Sequence, residues 1–332
     1  RHEFDVDLAG APFISDYGTF NGGGSLAGAS FSMNTTPMAQ VAEAGALRRL
    51  ADYLELAKPR IVLMVLVTAF VGFYLGSESV PQYVRLLEML LGTALAAAGT
   101  LTLNQVIERD TDAKMERTRH RPLPDGRLQA REALWFGLLL TIAGLIYLLL
   151  AVNFLSAAVT GVIAVSYLLC YTPMKLRSPL CVLVGAVPGA LPPVIGWVAA
   201  RGSLDLGGWV LFAIMFLWQV PHTLAIARLY RTDYARAGIQ FLPVLDTDGA
   251  STNRQIISHT AALLAVSLLP TLLGLAGPVY FIVAFILGTG FLLSGIRLAL
   301  ESTLPKARTL LFASLIYLPV LLLVMALDRV PL

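Results

Sequence analysis

Long apolar runs separated by polar interruptions dominate the chain beyond residue 60. A helix that crosses a bilayer needs about 20 mostly apolar residues. Nine stretches qualify: 61–79, 84–107, 132–152, 155–173, 179–199, 207–228, 257–276, 278–300 and 308–327. The pattern predicts an all-α, polytopic membrane protein with about nine transmembrane helices. Pro188, Pro192, Pro193 and Pro270 fall inside these runs, as membrane helices tolerate when neighbours re-satisfy the backbone. Small residues such as Gly185, Gly189 and Ala190 allow close helix approach. Two interruptions, 108–131 and 229–256, are too long and too polar to be turns. Connections longer than about 12–15 residues are usually functional or disordered, so chemistry is sought there. Each follows an even-numbered span, which hints at an internal repeat.

Composition strengthens this reading. Of 332 residues, 57% are hydrophobic and 14% charged, against about 25% charged in soluble domains. The mean hydropathy is +0.73. The formal net charge of +3 says little, but the placement of charge says more. Arg109, Lys114, Arg117, Arg119, Arg121, Arg127 and Arg131 follow the second span. Lys175 and Arg177 follow the fourth, Arg228, Arg231 and Arg236 the sixth, and Arg297, Lys306 and Arg308 the eighth. The opposite side has isolated charges such as Arg85, Arg201 and Arg329. The positive-inside rule then puts the N-terminus and the basic loops in the cytoplasm, or in the matrix of a mitochondrion, and the C-terminus outside. Cys170 and Cys181 lie in apolar runs, where packing is expected and a disulfide is not. No Cys/His spacing resembles a zinc site.

Residues 1–50 stand apart from the membrane domain, 51–332. The first 45 are Gly/Ser/Asn-rich, with Gly22-Gly23-Gly24 near the middle, and are expected to be disordered and partly non-native. Met33 and Met38 are alternative starts. The segment has neither a signal-peptide pattern nor the Arg-rich, acid-poor look of a transit peptide, which favours a bacterial cytoplasmic membrane over a mitochondrial one.

Asn104, Glu108 and Asp112 are spaced by four. If the second helix continues, they share a face within about 80°, with Thr111 beside them and Asp110 off it. Oxygen donors gathered at one helix end suit Mg²⁺, which takes one or two carboxylates and completes its shell with substrate phosphates. Arg117 and Arg121, further along, suit bidentate phosphate contacts. A solvated loop with internal ion pairs accounts for the same spacing equally well. Asn104 tips the balance, because polar groups at membrane depth are costly and default to function. Asp233, Tyr234 and Arg236 in the second long loop could add a carboxylate and a cation, or form an interfacial amphipathic segment. Tyr171 with Lys175 and Arg177 reads first as a positive-inside anchor. His222, near Trp218 in the sixth span, is either a proton carrier or metal ligand, or a residue that bonds a neighbouring helix. His120 and His259 read as structural or solvated.

Together these stretches resemble the UbiA superfamily of intramembrane prenyltransferases, and within it the protoheme IX farnesyltransferase (heme O synthase) family. The likeness lies in Lys58-Pro59-Arg60; in Asn104 to Asp112 with Met115, Arg117, Arg121, Pro122 and Leu123; and in Tyr171-Thr172 with Lys175. It continues in Gly189 to Pro193 with Gly196-Trp197, in Trp218 with Pro221-His222, and in Asp233-Tyr234 with Ala237-Gly238 and Leu242-Pro243-Val244. It runs from about Tyr53 to the C-terminus. The heme branch is indicated by the Arg117-to-Leu123 and Asp233-to-Gly238 stretches. Two departures from the wider superfamily stand out: Glu108 where Asp is usual, and Ala237 in place of a second carboxylate.

The resemblance implies nine helices around a central cavity, with one acidic motif after helix two and another after helix six. It implies Mg²⁺ held by Asn104, Asp112 and Asp233, with Glu108 and Asp110 in support, as the cofactor that grips farnesyl diphosphate. Arg117, Arg121 and Lys175 would neutralise the departing diphosphate. Lys58, Arg60, Tyr171, Trp218, His222, Tyr234 and Arg236 would line the substrates, with Trp218 and His222 toward heme B. The expected product is heme O, and heme B is a substrate. Further expectations are the lipid bilayer as surroundings, contact with a downstream heme A synthase or oxidase assembly, and no nucleic acid. A quinone precursor or chlorophyllide as acceptor is the alternative within the class. A transporter is the alternative outside it, but would place its charges near the midplane, whereas here they cluster at one interface. Oligomeric state is left open.

Overall fold

The fold is described from a computed structural model covering residues 38–78 and 80–330. Residues 1–37, to which most of the expected disorder was assigned, lie outside it. The end of that segment is helical instead: α1 spans Met38–Ala57. Its sequence is rich in Ala, Leu, Glu and Arg, which are strong helix formers. The compact unit that holds the membrane domain runs from Asp52 to Leu332.

Among the described residues, nine helices are long and apolar enough to span a membrane. They are α2 (Pro59–Gly76), α3 (Tyr83–Asp112), α4 (Ala130–Val152), α5 (Phe154–Met174), α6 (Cys181–Arg201), α7 (Leu206–Leu229), α10 (Ala250–Leu272), α11 (Pro278–Glu301) and α12 (Leu304–Leu327). Two short helices, α8 (Arg231–Arg236) and α9 (Leu242–Leu245), sit in the second long connection. All nine spans match the apolar runs. Two start earlier than hydropathy suggests. The first turns of α10 are polar and read as loop, but the Asp246 carboxylate accepts from the Thr252 amide (2.6 Å) and hydroxyl (2.8 Å) and starts the helix. α12 opens at Leu304-Pro305, which places Lys306 and Arg308 in its first turns.

Lipid chains are as apolar as leucine, so burial of apolar surface does little to drive these helices together. Close packing must do it. α3 and α4 show how. Gly99 lies against Thr141 and the Gly137 carbonyl, and Gly144 against the backbone of Ala96. The other face of α4 carries Leu139, Ile142 and Ile146, each at least half exposed, toward the lipid. α2 meets α6 in the same way: Gly72 faces the Pro193 carbonyl and Gly196 the Ala69 carbonyl, with no room for a side chain at either. α7 packs against α6, α10 and α12.

Candidate functional site

The polar residues gather where α3, α5 and the two long connections end. α3 runs on past the apolar stretch to Asp112, so Asn104, Glu108 and Asp112 do share one face. Each meets a different neighbour. The Asn104 amide nitrogen donates to Thr172 Oγ1 at 3.0 Å. The Glu108 carboxylate pairs with Lys175 at 2.6 Å, and both side chains are about 14% exposed. The Asp112 carboxylate, 3% exposed, pairs with Arg121 at 2.6 Å.

Local structure sets each of these partners. α5 turns π-helical over Ser166–Tyr171, a distortion often found at functional sites. The Thr172 hydroxyl thereby donates to the Tyr167 carbonyl, five residues back, at 2.8 Å. Its proton is spent there, so it accepts from the Asn104 amide nitrogen, and among the described residues no hydrogen bond engages the Asn104 amide oxygen. The loop after α3 folds back in tight turns. Thr118 Oγ1 donates to the Asp112 carbonyl at 2.8 Å, and the Arg121 amide to the Thr118 carbonyl at 3.1 Å. Buried Met115 and Leu123 anchor that loop, which places Arg121 over Asp112.

Arg117 crosses to the second connection. It donates to the Tyr234 hydroxyl at 3.1 Å and lies 4.9 Å from the Tyr230 ring centre. The Gln240 amide donates to the Lys175 carbonyl at 2.7 Å. Asp233, 17% exposed, has Arg236 at 3.4 Å.

Lys58 stands at the elbow between α1 and α2, with a left-handed backbone (φ 50°) that is uncommon for a non-glycine residue. Strain of this kind clusters at ligand clamps and active sites. Desolvation, and then the nearby Arg121 guanidinium, push its ammonium down to about 7, while Glu108 and Asp112 oppose the shift. Lys175 moves the other way. Burial would lower it, but the Tyr171 oxygen and the Glu108 carboxylate raise it above the ordinary lysine range.

The expected residues therefore separate. Asn104, Glu108, Asp112, Arg121, Lys175 and Lys58 are brought together, and Arg117, Tyr234 and Tyr171 border them. Tyr171 lies under the Lys175 ammonium at 4.4 Å. Asp110 is not brought in: its side chain is 82% exposed and paired with Arg109 at 2.9 Å. That follows from its place off the shared face. Arg60 is exposed on the first turn of α2, and Arg236 is largely exposed.

Trp218 and His222 lie on α7 within the membrane span. Their rings stack at 4.6 Å and 18°.

Residues not singled out from sequence include Tyr230, Ser314 and Arg127, and Thr172 entered only as part of the resemblance. Arg127 ties the first loop to Asp52 and Glu55 (3.2 Å) at the end of α1 and braces the loop itself through the His120 carbonyl (2.8 Å). In sequence it counts only as one more positive-inside charge.

Among the described residues, no three His, Cys, Asp or Glu side chains form a metal cage by themselves. The donor set is carboxylate and amide oxygen, and no hydrogen bond among the described residues engages the Asn104 oxygen. That fits a Mg²⁺ shared with substrate phosphates and does not fit a metal held by protein alone.

Nine apolar helices among the described residues, with a cluster of paired carboxylates and cations at one end, define a polytopic α-helical membrane protein with a polar site at the end of its spans. Comparison with known proteins narrows that class. The UbiA prenyltransferase family model matches residues 65–316, and the chain belongs to that family. A protoheme IX farnesyltransferase of Solibacter usitatus (strain Ellin6076) is 50% identical over 287 residues, covering 84% of this chain and 98% of the relative. One from Koribacter versatilis (strain Ellin345) is 43% identical over 305 residues, 89% of this chain and 98% of the relative.

Solved structures share the fold. A digeranylgeranylglyceryl phosphate synthase superposes with a TM-score of 0.74 at 19% identity, over 86% of this chain and 100% of that one. A UbiA homolog from Archaeoglobus fulgidus bound to GPP and Mg²⁺ gives 0.60 at 18% identity, over 83% and 99%.

Proposed function

We propose that the protein transfers the farnesyl group of farnesyl diphosphate to a vinyl group of heme B, with hydration, to give heme O and diphosphate. Curated relatives named protoheme IX farnesyltransferase, up to 50% identical over most of the chain, support the reaction. The single structural observation that carries it is the face of α3, where Asn104, Glu108 and Asp112 meet Thr172, Lys175 and Arg121.

The chain's own residues do the following. Lys58, Arg117, Arg121 and Lys175 hold the diphosphate and neutralise charge as its bond to the allylic carbon breaks. Preorganised charge of this kind is usually the largest catalytic contribution. Asn104, Glu108, Asp112 and Asp233 are the residues that would hold Mg²⁺, and Asp110 is left out. When bound, Mg²⁺ supplies Lewis-acid charge neutralisation at the diphosphate oxygens. The apolar surroundings keep water from the allylic cation, and aromatic faces stabilise it. The terminal vinyl carbon then bonds to C1 of farnesyl. The cation left beside the pyrrole takes up water and loses a proton, which yields the hydroxyl. Trp218 and His222 belong to the heme side, since His is a common ligand for heme iron.

The charge pattern supports a polar mouth on the cytoplasmic or matrix face with the C-terminus outside, and the composition of the N-terminal segment favours the bacterial cytoplasmic membrane. The test is turnover by purified protein in nanodiscs with heme B, farnesyl diphosphate and Mg²⁺, with products read by mass. A farnesylated, hydrated heme that disappears with EDTA is expected. Farnesyl diphosphate bound without heme turnover would leave the family and remove the heme acceptor.

A further inference from the structure

The proposed heme-side pair, Trp218 and His222, is held by one residue on another helix. The Trp218 indole Nε1 donates to the Ser314 carbonyl at 2.9 Å. The His222 Nδ1 lies 2.7 Å from Ser314 Oγ. Ser314, on α12, is fully buried. A carbonyl oxygen has two lone pairs, so it can accept from the indole as well as from its own helix.

The hydroxyl proton decides the state of His222. Ser314 Oγ lies 2.6 Å from the Leu311 carbonyl oxygen. Two oxygens come that close only with a proton between them, and a carbonyl has none to give. The hydroxyl is therefore the donor to Leu311. It has no second proton for His222, so the 2.7 Å contact requires His222 to donate from Nδ1. A neutral imidazole protonated at Nδ1 carries its lone pair at Nε2. Among the described residues, Nε2 has no hydrogen-bond partner.

We propose that Ser314 is the positioning residue for the acceptor side of the site: it brackets Trp218 and His222 and holds His222 as the Nδ1–H tautomer, so that Nε2 presents a lone pair to the iron of the porphyrin. This rests on the heme reading given above. The arrangement is the one by which metal-binding histidines are commonly oriented, with the second ring nitrogen donating to a fixed oxygen. It acts through His222, and Ser314 itself touches no substrate.

Two measurements on the full chain in nanodiscs test it. The first is ¹⁵N NMR of histidine-labelled wild-type protein without heme, with His222→Ala identifying the signal. A protonated Nδ1 and a bare Nε2 are expected, and the opposite tautomer overturns the proposal. The second is titration with ferric heme, followed by the optical spectrum and electron paramagnetic resonance. Wild type is expected to show a histidine-ligated iron. Ser314→Ala is expected to lose that signature and to bind heme about 10-fold more weakly, as supporting-residue changes do at metal sites. Farnesyl diphosphate binding should stay as in wild type, which shows that the variant folds. Heme spectra and affinity equal in Ser314→Ala and wild type would overturn the role of Ser314 alone. Wild-type protein that takes up no heme would overturn the reading of function instead.

Discussion

The two polar connections that meet at the mouth are built differently. The carboxylates at the start of the first are buried and already paired, Glu108 with Lys175 and Asp112 with Arg121, both at 2.6 Å. The second offers Asp233 on a six-residue helix, with Arg236 at 3.4 Å and most of that arginine in solvent. A buried charge without a partner costs several kcal/mol, so the first group cannot exist at that depth without its cations. In the second, Asp233 is nearly as buried, at 17% exposed, but its partner Arg236 is mostly in solvent and the pairing is the looser one. Under the proposed reading, the mouth is charge-balanced before any diphosphate arrives. The cations that would grip the anion serve beforehand as counter-ions to the donors beneath it.

The largest effect is expected from Asp112→Ala. It removes a proposed metal ligand and strands Arg121, and turnover should fall about 10³-fold, the scale of losing a preorganised electrostatic group. Activity within tenfold of wild type, in a heme turnover assay, would remove Asp112 from the ligand set. Glu108→Ala and Asp233→Ala then test the difference between the cations left behind, Lys175 at 13% exposed and Arg236 at 56%. The first leaves Lys175 buried and unpaired, and should destabilise the fold by about 3 kcal/mol. The second should leave the unfolding midpoint in detergent unchanged while lowering turnover. Equal midpoints for both variants would erase the distinction.

Lys58 gives a pH signature. Its ammonium, held down to about 7, is charged below that pH and neutral above it. A diphosphate selects the charged form, so affinity for farnesyl diphosphate should fall as pH rises through about 7. Lys58→Arg should flatten that fall, because a guanidinium stays charged throughout. Identical slopes in the two proteins would take Lys58 out of contact with the diphosphate. The smallest effect belongs to Arg236→Ala. Its side chain is mostly in solvent and 3.4 Å from Asp233, and ion pairs that water reaches are worth about 1 kcal/mol or less. Its KM should stay within about fivefold of wild type, and a larger rise would make Arg236 a direct substrate contact.

Much of this site is legible in the sequence, because the relevant periods are local. The apolar runs mark all nine spans, and four-residue spacing puts Asn104, Glu108 and Asp112 on one face and leaves Asp110 off it. The polar first turns of α10 were not legible. Their helix depends on a cap from Asp246, six residues before Thr252. Nor was the helix at Met38, where the Gly/Ser-rich character of the preceding residues masks a run of good helix formers.

The membrane architecture, its basic side and the face of α3 that bears the oxygen donors can therefore be read along the chain alone. Hydropathy and helical period are properties of neighbouring residues, and they survive whatever the rest of the chain does. Only the tertiary structure decided who meets whom. Lys175 reaches Glu108 across 67 residues, and Ser314 reaches His222 across 92. Those pairings arise from which helices pack together, and in lipid that packing is chosen by close fits such as Gly196 against the Ala69 backbone. No period along the chain encodes them.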